Sequence, residues 1–346
     1  MKNKLLYIQT FGCQMNVHDS EQIVSLLKAS GCQKTENEKL ADLIMLNTCS
    51  IREKAAQKVY SQLGRFRYLK EQNPDLIIGV VGCLAQHLGN KFHKRMDYLD
   101  FVCGTHNIHQ LPEIIDSVAR DRQKITRIDF HPSLSSMSIF VPPRDGQISA
   151  FVTIMQGCNN FCAYCVVPYL RGREISRTPA DILDEIGRLA DAGVMEVTLL
   201  GQNVNSYGKT LHDGSNFASL IKKIGEIEGI KRIRFTTSHP RDLSVEMIDC
   251  FRTEEKLCAH IHLPVQSGSN HVLALMNRGY TVEDYMQKVD ALRRTRPDIS
   301  ITSDMIVGFP GETEKDYQET IDMMEKIRFD STFSFKYSER EGTAAA

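Results

Sequence analysis

From residue 148 onward, the sequence alternates short apolar runs with amphipathic stretches of helical periodicity, and this alternation limits the fold more than any other feature. Apolar runs of strand length lie at residues 148–156, 196–201, 232–237, 260–265, 300–307 and 331–337. Helical patterns separate them, at residues 179–192, 216–227, 244–252, 281–295 and 314–327. Strands that alternate with helices form parallel sheets. The six units predict a partial (β/α)6 barrel, whose active face is at the carboxyl ends of the strands.

The first 120 residues show the same alternation on a smaller scale. Strands are predicted at residues 5–9, 43–46, 76–81 and 101–104, and helices at 20–29 and 52–70. This pattern predicts an N-terminal open parallel α/β domain over residues 1–120. Residues 121–147 have weak periodicity and carry several prolines and serines, so they predict a linker. The second domain then covers residues 148–340.

Three cysteines follow the first strand of the predicted barrel at a C-x3-C-x2-C spacing: Cys158, Cys162 and Cys165. Thiolates are soft ligands that suit iron–sulfur clusters, and three of them leave one iron of a four-iron cluster without a protein ligand. An open coordination position indicates chemistry rather than a structural metal. The alternatives are a zinc knuckle and three unrelated thiols. Zinc sites usually bring a second ligand pair close by, however, and none follows before Cys250.

A second cysteine trio is spread over the N-terminal domain. Cys13, Cys49 and Cys83 each stand just past the end of a predicted strand. The carboxyl ends of parallel strands line the ligand crevice of an open sheet, so these thiols are expected to converge and hold a second cluster. Buried free cysteines are the alternative, and Cys103 is a rival ligand because it also ends a strand. Cys32, Cys250 and Cys258 are expected to be structural.

Composition limits the class of protein and its compartment. The formal net charge is −1, so any surface that binds nucleic acid must be local. No segment resembles a signal peptide and no stretch reaches transmembrane length, so no membrane association is expected. Ten cysteines without a secretion signal predict reduced thiols and metal rather than disulfides. The expected location is the cytosol, or an organelle matrix after removal of a targeting peptide.

The sequence resembles the methylthiotransferase family of radical S-adenosylmethionine (SAM) enzymes nearly end to end. The N-terminal matches are residues 9–16 (QTFGCQMN), residues 47–55 (NTCSIREKA) and Gly82-Cys83. The radical motif matches at residues 157–165 (GCNNFCAYC), and matches continue through Pro168-Tyr169 and residues 171–174 (RGRE). The resemblance implies one four-iron cluster on each cysteine trio, with the auxiliary cluster on the N-terminal trio, and SAM as a further cofactor. The six cysteines are thus the predicted catalytic and metal-binding residues.

Two further motifs resemble one branch of this family. Residues 236–240 (TTSHP) and 262–268 (HLPVQSG) are similar to the branch that acts on prenylated adenosine beside the tRNA anticodon. This implies transfer of a methylthio group to C2 of N6-prenylated adenosine at position 37. The implied partners are the anticodon stem-loop of tRNA and an electron donor such as a flavodoxin or ferredoxin, while the sulfur donor is left open. The alternatives are the same chemistry on a ribosomal protein side chain or on threonylcarbamoyl-adenosine, and a non-enzymatic iron–sulfur carrier.

The resemblance and the positions after strands imply further contacts. Five residues are expected to bind the cofactor: Tyr164, Gln202, Asn203, Gln266 and Asp304. For Tyr164, a place in the core is the alternative. Arg171 and Arg173 follow the radical motif and are expected to contact RNA phosphates, whose attraction weakens with salt. The family usually continues into a small β-barrel that helps to hold RNA, and we expect this module to be absent because residues 341–346 stand where it would begin.

Overall fold

The computed structural model describes residues 3–49, 53–130 and 138–346. The chain forms two compact units, Met1–Pro142 and Pro143–Ala346. Residues 50–52 of the second N-terminal motif, and residues 131–137 of the predicted linker, lie outside the described residues. Among the described residues, no helix is both long and apolar enough to cross a membrane.

The first unit contains a parallel sheet with helices on both faces. Its elements are β1 (Leu5–Phe11), α1 (Gln14–Ala29), β2 (Gln33–Lys34), β3 (Leu43–Thr48), α2 (Glu53–Gln72), β4 (Ile77–Gly82), α3 (Cys83–Leu88), α4 (Lys91–Arg95), β5 (Phe101–Cys103), α5 (Leu111–Asp121) and β6 (Ile125–Arg127). The strand order is β2-β1-β3-β4-β5-β6. Every residue of β3 and β4 is buried, as expected for the central strands of a sheet that helices cover on both sides.

Strand β3 illustrates how this sheet is packed. Met45 joins a core cluster with Ile23 of α1 and Ile115 of α5. Ile44 points to the other face and packs with Leu63 of α2. The alternation of side chains along the strand therefore supplies both cores.

The second unit is built from strand–helix units. Its elements are β7 (Ser149–Thr153), β8 (Met155–Gln156), α6 (Val167–Arg171), β9 (Ile175–Ser176), α7 (Pro179–Asp191), β10 (Glu196–Leu200), α8 (Phe217–Gly225), β11 (Arg232–Phe235), α9 (Val245–Thr253), β12 (His260–His262), α10 (Asn270–Leu275), α11 (Val282–Thr295), β13 (Ser300–Val307), α12 (Glu314–Ile327) and β14 (Ser331–Lys336). Parallel strands form two sheets of order β11-β10-β7 and β12-β13-β14, and the sheets meet where Ile233 pairs with Leu257. The result is the open barrel that the alternation predicts.

The side chains of β13 alternate between a buried face and a face that points into the barrel. Ile301 and Met305 are buried. Thr302 and Asp304 alternate with them and point the other way. We call this side, which carries Thr302 and Asp304, the inner face.

Several barrel helices begin with a side chain that accepts a hydrogen bond from a free backbone amide. Thr178 caps α7 in this way, Thr281 caps α11 and Thr313 caps α12. Such caps satisfy amides that the helix itself leaves without a partner. They explain why the helix starts predicted from the sequence lie within a few residues of the observed ones.

Several elements differ from the sequence-based predictions, which also lack helices α3, α4, α5, α6 and α10. Helix α1 begins at Gln14 rather than at residue 20. The predicted linker contains β6, where Ile125 pairs with Phe101 of β5. The first barrel strand is divided into β7 and β8, and β8 pairs antiparallel with β9, Met155 opposite Ser176. The sequence is polar at these places, so apolar periodicity does not reveal the helix and strands that form there.

Candidate functional site

The loop after β8 carries the three closely spaced cysteines at the carboxyl end of the first barrel strand. Its first residue, Gly157, has φ +82°, and a Cβ there would lie 2.1 Å from the carbonyl oxygen of Arg173. The Cys158 amide donates to the Gly172 carbonyl at 3.2 Å. Gly157 is therefore required for the close approach of these two backbone segments.

The thiols of this loop influence one another's ionisation. Burial raises the pKa of Cys158 to about 11, and the nearby Cys162 sulfur adds to the shift. Burial likewise raises the pKa of Cys165 to about 12, with Cys162 and Cys158 contributing. Thiolates in this environment need a positive partner, and binding to iron replaces the thiol proton. The donor set therefore fits a soft, positively charged group.

A site for a single metal ion needs three or more donor side chains directed at one point. In residues 3–49, 53–130 and 138–346, no group of three or more His, Cys, Asp or Glu side chains is arranged to hold one ion. The thiols of a four-iron cluster bind different irons, so such a cluster sets a different geometric requirement.

Polar side chains from neighbouring strand ends brace the cysteine loop. The Gln202 Oε1 accepts a hydrogen bond from the Gly157 amide at 2.5 Å. Asp242 accepts from Asn203 Nδ2 at 2.7 Å and from Asn160 Nδ2 at 3.3 Å. Gln202 and Asn203, two of the residues expected to bind the cofactor, thus support the loop directly and through Asp242. Their contact with SAM stays a prediction.

The inner face of β12, β13 and β14 combines polar and aromatic side chains. The His262 Nδ1 lies 3.0 Å from Thr302 Oγ1, and its Nε2 lies 3.4 Å from Asp304 Oδ2. Phe333 is in register with Asp304 and is 62% exposed. Phe335 stacks on Phe333, with ring centroids 6.5 Å apart and an interplanar angle of 18°. An exposed flat aromatic surface therefore lies beside a carboxylate.

The other two predicted cofactor contacts lie deeper. Gln266 has φ +80°, its amide donates to the Asp304 carbonyl at 2.9 Å, and its carbonyl accepts from Ile306 at 2.9 Å. Tyr164 packs beside an apolar cluster that includes Met276. Tyr164 therefore takes part in core packing, which is the alternative to cofactor binding for this residue.

The two arginines that were predicted to contact RNA differ in their exposure to solvent. Arg171 is 4% exposed and is therefore shielded from a phosphate group. Arg173 is exposed, and its guanidinium lies 4.4 Å from the centroid of the Phe161 ring. Phe161 in turn contacts the exposed Tyr169 edge-on, at 5.8 Å between centroids. Arg173, together with Tyr169, is therefore better placed than Arg171 to contact RNA at the surface.

The N-terminal cysteines follow neighbouring strands of the first unit. Cys13 comes after β1, Cys49 after β3 and Cys83 after β4, and these strands are adjacent in the order β1-β3-β4. The Cys49 amide donates to the Phe11 carbonyl at 2.9 Å. A Cβ on Gly12 would lie 2.8 Å from the Cβ of Cys49, so glycine is needed where these loops meet. The sheet gathers the three cysteines at one edge.

A buried amide pair joins the loops of the first two of these cysteines. The Asn16 Nδ2 donates to Asn47 Oδ1 at 3.2 Å, and the Asn47 Nδ2 donates to the Asn16 carbonyl at 2.8 Å and to Ser20 Oγ at 2.9 Å. The Cys13 amide donates to Asn16 Oδ1 at 3.4 Å. Both asparagines are fully buried. Asn16 therefore holds the Cys13 loop, and Asn47 holds Asn16 against the end of β3.

The rival ligand Cys103 is in a different environment. It is fully buried, its Sγ lies 3.6 Å from the Gly104 carbonyl, and burial raises its pKa. Cys32 is part of the apolar core, and the Cys250 Sγ lies 3.8 Å from the Ala218 carbonyl. A structural role for these three thiols stays a prediction.

Two residues beside Cys162 were not found by sequence reasoning. The Arg278 Nη1 lies 3.3 Å from the Cys162 Sγ, and the His239 Nε2 lies 3.7 Å from it. His239 belongs to the motif at residues 236–240, which resembles the branch of the family that acts on prenylated adenosine. The position of this motif at the end of a strand is the sequence feature that could have indicated His239. Arg278 follows a short helix and carried no such signal.

Comparison with known proteins agrees with these observations. A profile for the radical SAM superfamily matches residues 152–324, and one described as uncharacterized protein family UPF0004 matches residues 5–104. The tRNA-2-methylthio-N(6)-dimethylallyladenosine synthase of Syntrophus aciditrophicus (strain SB) is 61% identical over 345 residues, which cover 100% of this chain and 75% of that protein. The chain belongs to this family of radical SAM enzymes. The family resemblance seen in the sequence is thereby confirmed.

Further matches support the family and the fold. The synthase of the same name from Geobacter sulfurreducens (strain ATCC 51573 / DSM 12127 / PCA) is 53% identical over 353 residues, which cover 100% of this chain and 77% of that protein. Among solved structures, the radical S-adenosylmethionine methyltransferase TsrM from Kitasatospora setae superposes with a TM-score of 0.72 at 13% identity. The match covers 99% of this chain and 74% of that chain. It confirms the predicted fold class.

Proposed function

We propose that this chain transfers a methylthio group to C2 of an N6-prenylated adenosine at position 37, next to the anticodon of tRNA. The observation that carries the proposal is 61% identity, over the full chain, to a synthase whose name specifies this product. The arrangement of both cysteine trios at strand ends supports the same chemistry. A cytoplasmic location is part of the proposal, as expected of an enzyme that modifies tRNA.

We assign a four-iron cluster to each trio. Cys158, Cys162 and Cys165 would hold the cluster that binds SAM, and the N-terminal trio would hold the auxiliary cluster. When bound, these groups supply the one-electron cleavage of SAM that activates an inert C–H bond, and the sulfur that is transferred. The residues of the chain hold and orient them. Gln202 and Asn203 fix the loop that carries the first cluster, and a flavodoxin or ferredoxin would provide the electron.

The inner face of the barrel supplies a surface for the target base. The base must leave its stack to react, which costs a few kcal/mol. Stacking on Phe333 or Phe335 would return about 1–3 kcal/mol. Asp304 is in register with Phe333 and accepts hydrogen bonds, so it suits an amino group on SAM or on the base. Arg173 and Tyr169 offer a cation and a ring to the RNA around it.

Iron analysis and product analysis test the assignment of the clusters. Anaerobically reconstituted protein should hold about eight irons per chain if both trios bind four-iron clusters. Alanine at all three positions of either trio should leave about half of the iron. The variant lacking the N-terminal trio should still cleave SAM reductively but make no methylthio product. Cys258→Ala, outside both trios, should keep all the iron. Full iron content in either triple variant would contradict the assignment.

Matched RNA stem-loops test the choice of substrate. A prenyl group has about five carbons, and each is worth roughly 0.8 kcal/mol when fully buried. Burial in an apolar pocket would thus give up to about 4 kcal/mol, near a thousandfold preference in kcat/KM over unmodified adenosine. Both RNAs share the same phosphates, so the preference should persist when salt is raised. Equal kcat/KM for the two stem-loops would refute recognition of the prenyl group.

A further inference from the structure

Arg278 is a buried cation whose position is set by the end of helix α10. The helix ends with Asn277 in the left-handed region, at φ +56°, and the Arg278 amide donates to the Leu273 carbonyl at 3.0 Å. This is the pattern of a Schellman cap. The same turn accepts the Ala163 amide at the Met276 carbonyl, at 2.9 Å. The turn therefore anchors both Arg278 and the middle of the cysteine loop.

All three guanidinium nitrogens of Arg278 are engaged inside the protein. Its Nη1 lies 3.3 Å from both the Cys162 Sγ and the Tyr164 Oη. Its Nη2 donates to the Pro264 carbonyl at 2.6 Å, and its Nε donates to the Tyr280 Oη at 3.0 Å. The residue is 3% exposed. None of these four partners is a carboxylate.

This arrangement leaves a charge to be balanced. An isolated buried charge is costly unless an opposite charge lies close by. Among the four partners, the Cys162 sulfur is the group that is negative when it binds iron. The guanidinium is thus placed to face a cysteine thiolate and the cluster that it holds.

A second donor approaches the same sulfur. The His239 Nδ1 accepts a hydrogen bond from the Arg241 amide at 3.2 Å, so its Nε2 carries the proton. That Nε2 lies 3.7 Å from the Cys162 Sγ. Cys162 therefore receives one charged and one neutral donor.

We propose that Arg278, assisted by His239, positions the Cys162 thiolate and raises the reduction potential of the cluster bound to this loop. This rests on the proposed assignment of that cluster to Cys158, Cys162 and Cys165. Reduction adds negative charge to a cluster, and a nearby cation with hydrogen bonds to sulfur stabilises the reduced state. Arg278 is a positioning residue, since it acts through Cys162.

The test measures the cluster itself rather than turnover. The N-terminal trio is replaced by alanine, so that the remaining signal comes from one cluster, and the protein is titrated with dithionite under electron paramagnetic resonance. Arg278→Gln should lower the equilibrium constant for reduction at least tenfold, which for a one-electron couple is a shift of about 59 mV to more negative potential. Arg278→Lys keeps the charge but loses the planar fork, and it should give a smaller shift in the same direction. His239→Leu should also give a smaller negative shift.

Controls separate this role from a structural one. Arg252→Gln removes an exposed arginine of α9 and should leave the potential unchanged. Iron content and thermal unfolding are measured for each variant. If Arg278→Gln fails to fold or to bind iron, Arg278→Lys and His239→Leu decide the question. An unchanged potential in iron-loaded variants overturns the inference and leaves the proposed function intact. Absence of iron from the parent protein would instead contradict the assignment of the cluster.

Discussion

Replacing Asn47 with alanine should destabilise the N-terminal unit and loosen the loop of Cys13. The substitution removes three hydrogen bonds, one from the Asn16 side chain, one to the Asn16 carbonyl and one to Ser20 Oγ. Each such bond contributes roughly 1 kcal/mol net, and Asn16 would be left with an incompletely satisfied buried amide. The expected loss is therefore about 3 kcal/mol in the free energy of unfolding of this unit.

Urea unfolding measures this loss. With a slope near the upper end of the usual range, about 3 kcal/mol per molar, the midpoint of the N-terminal unit should fall by roughly 1 M. Amide hydrogen exchange in peptides from β1, β3 and β4 assigns the transition to this sheet. Asn73→Ala is the matched control, because Asn73 is exposed and its side chain accepts one bond, from the Asp75 amide at 3.1 Å. It should change stability by no more than about 0.5 kcal/mol.

The same variant links stability to the candidate iron site. Because Asn16 also accepts the Cys13 amide, the Asn47 variant should lose iron from the N-terminal trio faster during incubation with a chelator. Iron on the second trio should be retained as in the parent protein. An unchanged urea midpoint together with unchanged exchange in β3 would refute the view that the buried asparagines hold these loops together.

Two further predictions concern ion pairs in the barrel unit. Glu185→Leu should lower the free energy of unfolding by about 3–5 kcal/mol, because it leaves Arg177 buried without the carboxylate that lies 2.6 Å away. Arg177→Met in the same protein should recover much of this loss, and thermal unfolding measures both changes. The hydrogen bond from Arg232 lowers the pKa of Glu196, so the stability from this pair is present above the usual glutamate pKa and is lost as pH falls through the folded value. Glu196→Gln should therefore be slightly less stable than the parent at neutral pH but equal to it in acid, and a difference that persists in acid would contradict this origin.

The sequence was sufficient for elements with an apolar pattern and a clear start. The strand at Ser300–Val307 has the predicted bounds because apolar and polar residues alternate along it. The helices after Thr281 and Thr313 begin where a hydroxyl cap precedes the apolar period. The sequence predicts that Cys13, Cys49 and Cys83 lie together, because parallel strands bring their carboxyl ends to one edge of the sheet.

The parts that were missed depend on polar residues buried by tertiary structure. The first turns of α1 contain Asn16, His18 and Asp19, which are buried although their sequence is hydrophilic. Asp242 and Arg278 become part of the site only through partners far away in the sequence, Asn160 and Cys162. No local pattern marks such residues, because burial and pairing are properties of the folded chain.

The spacing of the two cysteine trios has a consequence for the order in which the iron sites are completed. Cys158 to Cys165 span eight residues, so bringing these thiols together closes only a short loop and costs little chain entropy. The N-terminal trio is gathered by strands β1, β3 and β4, and whole helices separate them in the chain. Its thiols meet only after non-local strand pairing, which is the slow step in folding such sheets. When the chain refolds from a denaturant, the three N-terminal thiols should therefore come together more slowly than Cys158, Cys162 and Cys165.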